Sequence, residues 1–407
     1  MTRMEPVPAS PAAGGGTDGA SLGTRFRVFP QPPYVPGYEK PEVVWLSLPP
    51  GRITAGPADR RMYVANPVEP KVPYFFPELP PYAGRLRPPA EPGPDGHFDY
   101  LEPGTDGFLD AHVYACVRRV LDICEGYVGR EIPWYFEPTV DRLEIVPRIP
   151  EWDNAQSGFG YLELGESDRA DRRSCYGLNF DAIAHEVGHL VLLGEIGLPE
   201  DGEGGPDFLA YHEAVADFLS LLGLLHFDTA LDRLLRRTRG NLLLENELDR
   251  FAETSNERQI RTFSNSLRLG DVSREVHDRS RPFGGALFDS LIEVHQALLY
   301  DRGLSDIDPR RFSDLRRQME PSLIERALAD DAAAYEFRHF AVKAALAEAR
   351  DIVGEALVRS WPRLDPYDLD FATAAEAFLV AVDRGRGRPF APQIEDCFGW
   401  RGIFEPT

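Results

Sequence analysis

The chain has little that would tie it to a membrane, to nucleic acid or to an oxidising compartment. Four cysteines in 407 residues do not make a disulfide framework. Cys116 and Cys124 stand eight residues apart on an expected helix, too distant in rise to bridge each other, and the four have no metal-type spacing. Buried free thiols are the expected state. No stretch approaches eighteen uninterrupted apolar residues, so no membrane span is expected. The opening MTRMEPVPASPAAGGGTDGA has no apolar core ahead of its small residues and does not read as a secretory signal, which makes a cytoplasmic location the expectation. Basic residues are outnumbered, 44 Lys and Arg against 66 Asp and Glu. A net charge of -22 repels polyanions over most of a surface and argues against nucleic acid or anionic membrane as a partner.

What is present suits a globular protein of two domains or one body with two lobes. Proline is concentrated at the front, with 21 of 36 in the first 100 residues. Residues 1–38 are expected to be a disordered tail rich in Pro and Gly. PEVVWLSL through RMYVANPV reads as short strands and turns, and the stretch from YFFPELPPYAG to EPGPDG is too proline-rich for regular structure. GFLDAHVYACVRRVLDICEGYVG carries a 3.6-residue apolar stripe ending at Gly126 or Gly129. LEIVPRI and GFGYLEL read as strands separated by the turn-like PEWDNAQS. Helices are expected from there to the end, the strongest over 181–193, 208–227, 284–300 and 333–358. The resulting division is a mixed α+β part over 39–180 and a mainly helical part over 181–407.

After Asp181 the helix FDAIAHEVGHLVLLG is apolar except for His185, Glu186 and His189 in its middle. Residues four apart on a helix lie one above the other, so His185 and His189 present two imidazoles at a spacing one metal ion bridges. Glu186 projects close to the same side, one position round, as suits a carboxylate that touches metal-bound water without ligating the metal. Surface histidines are the plain alternative, but Ile183, Val187, Leu190, Val191 and Leu192 leave little of this helix to face water. A catalytic zinc needs a third protein ligand and an open position. The next expected helix, FLAYHEAVADFLSLLGLLHF, is apolar yet holds Glu213 and Asp217 one turn apart and no Lys or Arg. Buried unpaired, each carboxylate costs several kcal/mol or takes a proton. A metal ion for Glu213 and a ligating imidazole for Asp217 satisfies both, the second being a carboxylate that orients a histidine.

With Glu213 24 residues after His189 and Asp217 four further on, the arrangement resembles the thermolysin-like neutral metallopeptidases, the glutamate-ligand branch of the zincins. That family has His-Glu-x-x-His on one helix and Glu-x-x-x-Asp on the next. DNAQSGFGYLELG is similar to its Asn-Ala segment and edge strand, which implies that Asn154 and Ala155 hold the substrate backbone. LDAHVYACVRRVLD resembles its Asp-Ala-His-Tyr-Tyr helix. IRTFSNS resembles its Leu-Arg-Ser-Met-Ser-Asp stretch, placing Arg261 as a substrate-binding arginine. EVHDRSRPFGGALFDSL is similar to its Val-His-Thr-Asn-Ser-Gly segment, giving His277 the place of the histidine that stabilises the transition state. Tyr211 is the one tyrosine near the loop EIGLPEDGEGGPDFLAY and stands for the family's assisting tyrosine. The likeness covers about residues 105–300.

It implies a two-lobed zincin fold with an active cleft between a mixed lobe and a helical lobe, a zinc cofactor, and peptide-bond hydrolysis of a peptide or protein substrate. Glu186 is then general base, and β-augmentation along the edge strand holds the substrate. Departures are His212 where the family has asparagine, and missing calcium-binding acids: Asp181 matches one, but the helix after Asp217 has no acid where another belongs. Bound calcium is therefore not implied. A catalytically silent zincin that binds or scaffolds peptides is the alternative, and Glu186 weighs against it, since a binding module has no chemical need of a base beside the metal. A peptidase for a narrow intracellular target, recognised through the carboxy-terminal helices, is a third reading.

Overall fold

Alternation of buried side chains with half-buried ones in TRFRV and with exposed ones in EVVWL gives the first two strands, β1 (Thr24–Val28) and β2 (Glu42–Leu46), which pair antiparallel with Phe26 opposite Val44. The structure, a computed structural model, describes residues 23–169, 172–200, 204–243, 250–255, 258–263, 265–318 and 335–404. The expected tail is corrected here: Phe26 stacks on Phe98 and Tyr114 with ring centroids 4.7 and 5.8 Å away, and Gln31, Val35 and Tyr38 are buried. Residues 1–22 lie outside the described residues. Proline hid this part, since its local signal is that of a loop while its aromatic side chains find partners far along the chain.

The central sheet runs β3 (Met62–Val64), β4 (Leu143–Pro150), β6 (Tyr161–Arg169), β5 (Ala155–Gly158), with β7 (Arg172–Cys175) continuing beside the end of β6. β3, β4 and β6 are parallel and β5 is antiparallel to β6. LEIVPRI lies between two strands and is buried nearly throughout, as a continuous apolar run should be. GFGYLEL differs from its expected single strand: Gly158 ends β5, Phe159 and Gly160 turn the chain, and Tyr161 opens β6. The stretch expected as a turn thus supplies the outermost strand, with Ala155 opposite Leu164 and Ser157 opposite Leu162.

Helix α1 (Asp106–Val128) is capped by Thr105, whose hydroxyl accepts from Phe108 N, and ends at Gly129 with φ 79°. α2 (Phe180–Ile196) is capped by Asn179 and α3 (Phe208–Leu224) packs along it. Gly188 makes that packing close, for a Cβ there would stand 2.9 Å from Ala216 Cα. Beyond α4 (Asp228–Thr238) comes a two-stranded sheet not anticipated from the sequence, β8 (Arg250–Ser255) with β9 (Arg258–Thr262). α5 (Val276–Asp301) starts eight residues before its expected first residue, running through Pro282 from an N-cap at Glu275. Then follow α6 (Pro309–Gln318), α7 (His339–Ser360), α8 (Phe371–Arg384) and α9 (Ala391–Trp400).

The fold is thus α+β, helices and strands with open sheets, around a continuous apolar core reaching from Phe26 to Ile403. All four cysteines are free, three of them buried. Among the described residues no single helix is long and apolar enough to cross a membrane; α3 and α4 pass such a test only together, and they are bent by 90°.

Candidate metal centre

Helical spacing brings the two imidazoles of α2 together, and the close approach of α3 brings Glu213 to them. His185 Nε2 and His189 Nε2 are 3.0 Å apart, with the rings nearly perpendicular at 87°. Glu213 places Oε2 3.6 Å from His185 Nε2 and Oε1 3.5 Å from His189 Nε2. Ligands held tetrahedrally at the bond lengths of zinc to nitrogen or oxygen stand roughly 3.3–3.6 Å from one another. The two distances to Glu213 fall in that range and the His–His side is shorter, and His185, His189 and Glu213 form a group able to hold a metal ion.

His185 Nδ1 lies 2.8 Å from Asp217 Oδ1, and its N–H donates to that oxygen. The bond orients the ring and turns Nε2 toward His189 and Glu213. Burial alone would lower the pKa of His185, and the hydrogen bond and charge of Asp217 outweigh it and raise it. Asp217→Ala should weaken binding of a divalent ion by about 10- to 100-fold, measured by competition with a chromogenic chelator. Undiminished affinity would remove Asp217 from the site.

Glu186, one position round the helix, accepts a hydrogen bond from Ser157 Oγ of β5 at 2.9 Å. Its pKa is raised, chiefly by burial, against the opposing charge of His185 and the Ser157 bond. His277, on the first turn of α5, has Nε2 3.4 Å from Glu213 Oε2 and Nδ1 2.8 Å from Glu275 Oε1. Two residues on, Arg279 Nε donates to buried Asp207 at the start of α3, whose other oxygen accepts from Phe371 N of α8 at 3.0 Å. That contact ties the turn carrying His277 to the helix carrying Glu213.

A cavity of about 760 Å³ joins these groups, walled by β5 from Ala155 to Gly158, by α2 and α3, and by Glu275, Val276 and His277. Asn154 and Ala155 line it, with the Asn154 carbonyl accepting from Gly165 N at 2.9 Å. β5 is the last strand of its sheet, so its outer edge faces away from β6. Tyr211 is not brought there. It is 1 % exposed, its ring is 5.2 Å edge-on to Phe283, and two positions along α3 from Glu213 turn it to the far side of the helix. Arg261 falls on β9 opposite Phe251, and its side chain lies outside the described residues. Asp181 is buried with Oδ2 accepting from Gln31 Nε2 at 2.9 Å. His212 lines the cavity with its ring against Phe208 at 4.4 Å, and burial pushes its pKa down to about 3.

Ser157, Glu275, Asp207 and Arg279 were not singled out from the sequence. Ser157 had one usable signal: it stands two residues after Ala155, hence on the same side of any strand through Ala155.

No family model matches the chain, and no curated protein matches it. Among solved structures, it is similar to the precursor of protealysin, a metalloproteinase from Serratia proteamaculans. The TM-score is 0.51 at 13% sequence identity, over 84% of this chain and 87% of that one. A likeness at that identity speaks for the fold.

Proposed function

We propose that the chain is a zinc-dependent metallopeptidase that cleaves peptide bonds within a polypeptide, its two lobes meeting at α2 with the cleft between them. The observation that carries this reading is the convergence of four roles in one place: three donors close enough to share one ion, a carboxylate orienting one of them, a half-buried carboxylate beside them, and an imidazole across from them. The donor set of two imidazoles and one carboxylate fits zinc. Zinc held by His185, His189 and Glu213 would act as a Lewis acid and lower the pKa of a coordinated water toward neutrality.

The chain's own residues do the rest. Glu186 takes the proton of the attacking water, and its contact with Ser157 keeps the carboxylate turned to the cavity. The same group then delivers that proton to the departing amine, so one carboxylate serves as base and acid. His277 stands on the open side of Glu213, where its Nε2 donates to the carbonyl oxygen of the scissile bond as negative charge develops. Glu275 Oε1, 2.8 Å from the other ring nitrogen, holds the ring in place. The outer edge of β5 offers backbone groups to an extended peptide, with Asn154 and Ala155 at one end of the run.

The reading is tested by metal analysis of the purified protein together with digestion of a peptide library with and without chelator. One zinc per chain and chelator-sensitive cleavage are expected; cleavage that survives complete metal removal contradicts it. His277→Ala should lower kcat by about 100- to 1,000-fold with zinc content unchanged. A variant that loses its zinc instead, or hydrolyses at the wild-type rate, would exclude the role given to His277. The location proposed is cytoplasmic, and the partner is a peptide or protein substrate.

A further inference from the structure

Above the central sheet, residues 68–85 form a loop closed at its base, where Val68 N donates to Arg85 O at 2.9 Å and Pro67 pairs with Leu86. Its inner side is fastened by two carboxylates of the sheet, Glu144 on β4 and Glu163 on β6, 1 % and 0 % exposed. Burying two carboxylates is costly unless each finds several donors. Glu163 accepts from Lys71 Nζ, from Tyr74 N at 2.8 Å and from Gln156 Nε2 at 2.7 Å. Glu144 accepts from Tyr74 Oη at 2.7 Å, Tyr82 N at 2.8 Å and Tyr63 Oη at 2.7 Å.

Held this firmly on one side, the loop displays on the other side Val72, Phe75 and Phe76 at 80, 83 and 78 % exposure. Three large apolar side chains so exposed on an anchored loop mark a binding surface rather than scattered surface residues. Its place is given by Gln156, one of the β5 residues that line the metal cavity, whose Nε2 also donates to Tyr74 O at 3.1 Å. The chain leaves the sheet for Phe75 and Phe76 at that point, over the outermost strand, and returns at Tyr82 to Glu144, two strands further in.

We propose that Phe75 and Phe76, with Val72, form an apolar subsite for a large apolar or aromatic side chain of an extended polypeptide lying along β5, away from the scissile bond. An extended chain turns alternate side chains to opposite faces of the sheet it joins, and those on the upper face meet the loop. The inference rests on the peptidase reading for the direction of the peptide, and on the continuity of loop, Gln156 and cavity for its location. It makes the substrate a polypeptide long enough to reach beyond the residues next to the cut.

The test compares the wild-type protein with Phe75→Ser/Phe76→Ser on two peptides sharing a cleavage site, one extended by a segment carrying Phe and Leu, the other by Ser and Gly. Wild type should prefer the first by about tenfold in kcat/KM, and the double variant should show a ratio near one. Affinity is read separately by fluorescence anisotropy on Glu186→Gln protein with and without the two substitutions, with the apolar peptide bound about tenfold more weakly when both rings are removed. Both side chains are exposed, so an unchanged melting temperature shows the fold intact. Equal ratios and equal affinities overturn the subsite. A wild-type protein that self-associates while the variant does not overturns it too, assigning the rings to a contact between copies. Failure of the wild type to cleave any peptide would count against the peptidase reading alone, because the anisotropy arm still reads the loop.

Discussion

Glu186→Gln should retain about one zinc per chain and lose hydrolysis by at least 100- to 10,000-fold, the range a positioned general base contributes. The amide is nearly isosteric and still accepts the Ser157 hydroxyl through its oxygen, so neither the wall of β5 nor the packing of α2 has reason to move. What it cannot do is take a proton from water and hand it to an amine. The same substitution separates the two readings of the site: a peptide-binding zincin without turnover would bind its ligand equally well before and after the change and show no activity to lose. Rate measured on a cleaved library peptide, with zinc determined by mass spectrometry on the same sample, checks both halves. Hydrolysis at the wild-type rate in the variant would remove Glu186 from the mechanism.

Glu213→Ala should have the opposite signature, loss of metal first and loss of activity as its consequence. Two imidazoles alone leave the triangle open, and among the described residues the third donor is the anionic one that faces both rings, 3.5 and 3.6 Å from them. After dialysis the variant should carry almost no zinc, and cleavage should fall to the chelator-treated background. Stability offers a second readout. A ligand present at 1,000 times its Kd stabilises the folded state by about 4 kcal/mol, so zinc should raise the melting temperature of the wild type and leave that of the variant where it was. An unchanged zinc-dependent shift in Glu213→Ala would mean that the ion binds elsewhere.

How much of this was legible in the sequence depended on whether a residue's role is local. α1, α2 and α3 carry apolar periodicity and, for the first two, cap residues, so their presence and approximate ends follow from short stretches. The cluster was legible for the same reason: His185 and His189 share a helix face by spacing, and Glu213 and Asp217 stood out as acids in an apolar run. Tyr211 was misplaced although the same rule was available, since about 200° separates it from Glu213 around α3. β1, β5 and the pair β8 and β9 are short and mixed in composition, and what makes them strands is a partner elsewhere in the chain. Ser157, Asp207 and Arg279 belong to the same class. Ser157 meets Glu186 29 residues away and Asp207 meets Arg279 72 residues away, contacts that no local pattern announces.

The apolar loop over β5 shows the limit from the other direction. Its prolines correctly exclude regular structure, yet the loop is fastened by Glu144 and Glu163, which read locally as polar positions in strands. Only the sheet, by placing β4 and β6 side by side, brings the two acids under one loop.

A crystal structure of the zinc-loaded protein, with anomalous diffraction recorded on both sides of the zinc absorption edge, tests the central claim most directly. One strong peak is expected about 2.0–2.2 Å from His185 Nε2, His189 Nε2 and a Glu213 carboxylate oxygen, with Asp217 still on the far nitrogen of His185. A peak bound by other side chains, or none in a protein that binds zinc in solution, would contradict it.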